Sequence, residues 1–159
     1  MVSGPSLQQQ MNQKVEEIKQ AVSAIDEQKA LKRPGEGEWC AKEVLWHLTG
    51  EEHALTTFEM ERFLKEETPE LGVEPGRTPY NEDRGKVPVE ELVSRVERQY
   101  TEVGNFLAGL SEEQLNRKAH VPFLKETPLG EYPTLGQWAI GLINFHLNDH
   151  VQQLKSLSQ

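Results

Sequence analysis

Cysteine occurs once, at Cys40. No internal disulfide can form, and a reducing, cytoplasmic setting is expected. Positive charge is scarce: 17 Lys and Arg stand against 26 Asp and Glu, a net charge of -9. That balance argues against nucleic acid or an anionic membrane as partner, since both need clustered basic residues. Long apolar runs are also missing. The longest nearly uncharged stretch, 127–145, contains Glu131 and is broken by Pro128, Gly130, Pro133 and Gly136, so it does not read as a membrane span. The opening residues Met1-Val2-Ser3-Gly4-Pro5 have no basic start and no apolar core, and no signal peptide is expected. No stretch alternates strongly enough to read as a strand.

What is present is helical periodicity. With 159 residues, a single domain over 1–159 is expected. Leu7, Met11, Val15, Ile18, Val22 and Ile25 form one stripe in a first helical segment over 6–32, with Ser6 and Gln9 as its capping box and Pro34-Gly35 as its stop. A second segment over 40–66 carries Ala41, Val44, Leu45, Leu48, Leu55 and Phe58 inward. Prolines and glycines then fill 67–88, a long crossover without regular structure, the kind of loop that carries function or bridges a bundle. A third segment starts at Pro88, with Val89, Leu92, Val96, Tyr100, Val103 and Leu107 on its inner face. After a short turn begun by Ser111 and Gln114, 117–133 reads as a second irregular loop. Thr134 and Gln137 form a capping box for a fourth segment that runs to about Ser156. The expected fold class is all-α, a four-helix bundle with a long crossover between helices 2 and 3.

Only 5 histidines occur, and His146 and His150 lie four apart, one helical turn, so their side chains project together. His47 sits in a near-copy of the same pattern. Gly37, Trp39, Trp46, His47 and Leu48 match Gly136, Trp138, Phe145, His146 and Leu147, all at an offset of 99. The second and fourth helices therefore read as equivalent members of two hairpins, with His47 and His146 facing across a pseudo-two-fold. Glu51 falls where His150 stands in the second copy.

Three inward imidazoles are the donor set of a metal site with an open position. Neutral imidazole suits Zn or Ni when no thiolate set is present. Such a centre would acidify a bound water or stabilise a thiolate. Glu51 is a candidate fourth ligand, acceptor for an imidazole N–H, or catalytic general base. Glu43 reads as a solvated carboxylate and His53 as a surface histidine. His120 lies in the second loop, where it can approach the mouth of the site. Cys40 reads as a small residue at the second helix start and a weak cap; a helix N-terminus lowers thiol pKa, but nothing pairs it with a resolving cysteine, so an unreactive thiol is the favoured reading. Trp39, Trp46 and Trp138 read as core or pocket wall.

The string Trp39-Cys40-Ala41-Lys42-Glu43-Val44-Leu45-Trp46-His47-Leu48, with His146-x3-His150 followed by Gln153-Leu154, resembles the DinB-like (YfiT-type) superfamily. The resemblance spans nearly the whole chain. It implies an up-down-down-up bundle and a metal held by His47, His146 and His150. It also implies reactions of small molecules: thiol-dependent transfers or isomerisations using bacillithiol or mycothiol, or hydrolysis. Homodimers are common among such proteins, and a homodimer is expected here. Relatives commonly carry Ser or Thr where Cys40 stands, which weakens the cap but leaves the ligand set intact. Three readings stay open: a thiol S-transferase acting on small electrophiles, a metal-dependent hydrolase, and a non-catalytic metal-binding bundle.

Overall fold

Ser3 and Ser6 cap each other to start helix α1 (Gly4–Val22). Ser6 N–H donates to Ser3 Oγ at 3.2 Å, and Ser3 N–H donates to Ser6 Oγ at 3.1 Å. The box therefore lies three residues before the expected Ser6–Gln9 pair. In the computed structural model, which describes residues 2–51 and 57–159, the first segment is also shorter than the stripe suggested. It stops at Val22, and the Asp26 carboxylate accepts Lys29 N–H at 2.8 Å to start a separate turn, α2 (Glu27–Ala30). A carboxylate that caps an N–H competes with helix continuation.

The second segment is likewise two helices, α3 (Ala41–Leu48) and α4 (Thr57–Lys65). Thr49 folds its hydroxyl back onto Trp46 O at 2.7 Å, and Gly50 takes a φ of 82°. A left-handed residue ends a helix, and glycine adopts it at no steric cost. Leu55 and His53 lie outside the described residues.

Helix α5 (Val89–Ala108) begins one residue after Pro88, which caps rather than enters it. Val89 N–H donates to Glu27 Oε1 at 2.7 Å, tying α2 to the start of α5. Ser111 and Gln114 box the turn α6 (Glu112–Leu115), and Thr134 and Gln137 box α7 (Leu135–Gly141), both as expected. After α7 the helix widens into a π segment, Leu142–Leu147, and then continues as α8 (Asn148–Leu157).

Helix α1 packs on α5 and α8, and α3 packs on the same two helices. The result is an all-α four-helix bundle, with no strand among the described residues beyond isolated bridges. Leu7, Met11 and Ile18 of α1 meet Leu92, Val96, Val103 and Leu107 of α5 in a core where each is almost wholly shielded. Burying each large side chain contributes about 2 kcal/mol. Backbones come close at one end, where a Cβ on Gly4 would lie 2.2 Å from Leu107 O.

The two loops are more ordered than expected, because they pair with each other. His120 N–H donates to Pro69 O at 2.8 Å, and Leu71 N–H to His120 O at 2.8 Å. Val121 N–H donates to Glu131 O at 2.7 Å. The crossover also contains a 3-10 turn, Arg84–Lys86, and the second loop another, Pro122–Leu124. No described helix is long and apolar enough to cross a membrane.

Candidate metal centre

The start of α3 is a capping box shared by Cys40, the weak cap expected, and Glu43. Its carboxylate accepts Cys40 N–H at 3.1 Å and pairs with Arg33, Nε to Oε1 at 2.7 Å and Nη2 to Oε2 at 3.1 Å. Glu43 is buried, which corrects its reading as a solvated carboxylate. Burial works to raise its pKa, but Arg33 and the Cys40 N–H outweigh that and hold the carboxyl below its usual range. Cys40 itself is buried, and that burial pushes its thiol pKa up, against the pull of the helix N-terminus.

His47 stands in the last turn of α3, His146 within the π segment, and His150 in the first turn of α8. Their rings form a triangle with centroids 5.0, 4.8 and 4.8 Å apart. One nitrogen from each lies within 4.8 Å of the others, and Nε2 of His47 faces Nε2 of His146 at 2.8 Å. These two histidines meet across the bundle at the offset of 99 that the sequence repeat displays.

Outward, the rings differ. Nδ1 of His47 lies 2.5 Å from Arg77 O, and Nδ1 of His150 lies 2.9 Å from Gln153 Oε1. A carbonyl oxygen only accepts, so the ring hydrogen sits on Nδ1 and the lone pair stays on Nε2. Nδ1 of His146 is buried and has no partner among the described residues. Burial, reinforced by the neighbouring His150 and His47, lowers the His146 pKa to about 3. Burial also lowers that of His150, against the opposing pull of Gln153 and Asp149. Both groups are thus held neutral near pH 7, the form that donates to a metal. Three converging imidazoles, two presenting their lone pairs and a third with an orphaned outer nitrogen, fit a divalent ion.

Trp39 walls the cluster. Its ring is nearly parallel to that of His150, 8° apart with centroids at 6.3 Å, and lies 5.2 Å from His47. Its repeat counterpart Trp138 instead packs in the core beside Phe63 at 6.2 Å. The repeat diverges again next to the histidines, where Trp46 is 2% exposed and Phe145 is 56% exposed. The π segment lies at this point of divergence. One added residue in a helical turn re-aims the side chains beyond it.

Glu51 is not brought to the cluster. The helix has ended before it, Gly50 turns the chain, and the exposed carboxylate pairs with Arg95 Nη1 at 3.3 Å. The expected place one turn beyond His47 required a continuous helix. His120 does not join the cluster either. It lies between Glu131 at 3.3 Å and Glu70 at 3.8 Å and stacks on Tyr132 at 4.7 Å.

Sequence reasoning missed the residues that hold the crossover against α3. Lys42 is buried, and its Nζ donates to Gly85 O and Val87 O at 2.8 Å each and meets Glu27 Oε2 at 2.7 Å. Trp46 Nε1 donates to Arg84 O at 3.0 Å, and Thr78 Oγ1 donates to Glu43 O at 2.8 Å. The available signal was a lysine inside the apolar run Cys40–Leu48, one turn before Trp46.

A sequence model of the DinB superfamily matches residues 10–154. No curated protein matches the chain. Among solved structures, the chain is similar to YfiT from Bacillus subtilis, described as a probable metal-dependent hydrolase with an unusual four-helix bundle topology. The TM-score is 0.76 at 21% identity, covering 98% of this chain and 85% of that one.

Proposed function

Because the chain belongs to the DinB superfamily over residues 10–154, we propose that it is a metal-dependent enzyme in which His47, His146 and His150 hold one divalent ion. The convergence of three imidazoles, with ligand atoms within 4.8 Å of one another, carries this reading. Zinc or nickel suits such a donor set. When bound, the ion supplies Lewis acidity at a coordination position that three imidazoles leave free.

The chain's own residues set the rest. The Arg77 carbonyl and the Gln153 amide orient two of the rings, and Trp39 shields the cluster from one side. Among the described residues, no carboxylate or thiol joins the three histidines. Cys40 is buried, and Glu51 faces Arg95. Among the described residues none stands where it would attack, and this reading takes the attacking group from a second small molecule.

A low-molecular-weight thiol of the bacillithiol or mycothiol type is the favoured nucleophile. A thiol ionises near pH ~8.5, water near ~15.7, so a site with no carboxylate beside the histidines among the described residues suits the thiol better. The thiol would release its proton to solvent, its sulfur would form a bond to the electrophilic carbon of a small molecule, and the leaving group would depart with the bonding pair. The second reading is hydrolysis, with water attacking. It is favoured by the description of YfiT as a probable metal-dependent hydrolase.

Elemental analysis of protein purified without added metal tests the centre. About one divalent ion per chain is expected, lost in His146→Ala. A metal-free wild type, or full stoichiometry in the variant, would sink the site. A screen of electrophiles and esters with and without thiol then separates the chemistries. Thiol-dependent turnover supports transfer, and thiol-independent turnover supports hydrolysis. A metal-dependent rise in melting temperature with no turnover points to a non-catalytic bundle.

A further inference from the structure

The crossover segment 77–87 lies along α3 and is held there at two places. Its far end is fixed by Trp46 Nε1 on Arg84 O and by Lys42 Nζ on Gly85 O and Val87 O. Its near end is held by Thr78, whose hydroxyl donates to Glu43 O at 2.8 Å and accepts Tyr80 N–H at 3.4 Å. The residue before it, Arg77, turns its carbonyl onto Nδ1 of His47 at 2.5 Å. Glu43 O belongs to the turn of α3 directly before His47, so this hydroxyl ties the neighbour of Arg77 to the turn that carries His47, while Arg84 Nη1 holds Pro79 O at 2.7 Å on the far side.

We propose that Thr78 is a positioning residue for the histidine centre: by seating the Arg77 carbonyl it keeps the ring hydrogen of His47 on Nδ1 and presents Nε2 to the ion. This rests on the metal-centre reading above. An outer acceptor on a ligating imidazole sets both its tautomer and its orientation, and its loss typically weakens metal binding about 10- to 100-fold. Free imidazole side chains show no such bias toward Nδ1–H, so the tautomer reports the Arg77 contact directly. The effect is local, because Lys42 and Trp46 still hold the far end when Thr78 is changed.

The test compares the full-length chain with Thr78→Val, which keeps the shape and removes the hydroxyl, and Thr78→Ser, which restores it. Thr78→Ala carries the same reading if the valine methyl crowds the turn and the chain fails to fold. Imidazole nitrogen NMR on the metal-free protein should show His47 as Nδ1–H in the wild type and Thr78→Ser. In Thr78→Val it should shift toward Nε2–H. Competition with a chromogenic chelator should show zinc affinity weakened at least about tenfold in Thr78→Val and recovered in Thr78→Ser. Melting of the metal-free proteins reports whether each is folded. An unchanged His47 tautomer in folded Thr78→Val, or a Ser variant that behaves like Val, overturns the proposal. A wild type that binds no zinc overturns the metal-centre reading instead, and the tautomer spectra still decide the role of Thr78.

Discussion

His47 and His146 face each other Nε2 to Nε2 at 2.8 Å, one from α3 and one from the π segment of the last helix. Two ring nitrogens at that distance share either a hydrogen or a cation. His146 is the more exposed to the consequences, because its outer nitrogen is buried without a partner among the described residues. The pair is a cost to the metal-free fold that a bound ion would offset.

His146→Leu should therefore separate stability from binding. A leucine of similar volume removes a buried unpaired polar atom, a change worth about 1–3 kcal/mol in favour of the fold. In chelator, urea unfolding of His146→Leu should give a stability equal to or above that of the wild type. With zinc added, only the wild type should gain. A variant markedly weaker than the wild type in chelator would show that the His47–His146 contact is a net stabilising hydrogen bond.

The same histidine predicts a pH response of the metal-free protein. Its pKa is lowered to about 3 by burial, from an ordinary value of 6.5. Between those values the unfolded chain binds a proton that the folded chain refuses, so stability rises with pH and is lost on acidification. The slope from one such group is about 1.4 kcal/mol per pH unit. Burial lowers His150 in the same direction. Urea midpoints in chelator between pH 5 and 6.5, above the range of ordinary carboxylates, should fall with pH in the wild type and fall less in His146→Leu. Equal slopes would place the titration elsewhere.

Much of this centre was legible because its signals are local or periodic. The α1 stripe, the boxes at Ser111 and Thr134, and the one-turn spacing of His146 and His150 all come from helical geometry. The offset of 99 then predicted which histidines meet. The hidden features depend on contacts between distant residues. Gly50 inside an apolar pattern is compatible with a helix, and its positive φ is set by tertiary packing. The π segment has no spacing of its own in the sequence. Lys42 is buried by carbonyls of the crossover, some forty residues away in sequence. The pairing of 69–71 with His120 joins residues about fifty apart, beyond any local pattern. Glu51 was misplaced for the first of these reasons.

Cys40 should be chemically silent. It is 2% exposed, and burial raises its thiol pKa, so both access and thiolate fraction are low. An aromatic disulfide reagent at pH 8 should label the native protein far more slowly than the urea-unfolded chain. Its rate should track global unfolding as urea increases. Fast labelling without denaturant, at the rate of a small free thiol, would mean that the start of α3 opens locally and would return Cys40 to the candidates for chemistry.

Lys42 and Glu51 differ sharply in what each holds, one buried against the crossover and one on the surface. Lys42→Met leaves the carbonyls of Gly85 and Val87 and the carboxylate of Glu27 without their cation. Buried carbonyls left without a donor cost about 1–3 kcal/mol, while Glu27 is 57% exposed and stays hydrated. Glu51→Ala removes an exposed carboxylate from a surface pair with Arg95, a change of about 0.5 kcal/mol or less. Denaturant unfolding of the two variants should differ by several-fold in lost stability, and Glu51→Ala should keep the wild-type metal content. A Glu51→Ala protein that loses its ion would return that carboxylate to the histidine centre. A Lys42→Met protein as stable as the wild type would show that the crossover does not depend on its lysine anchor.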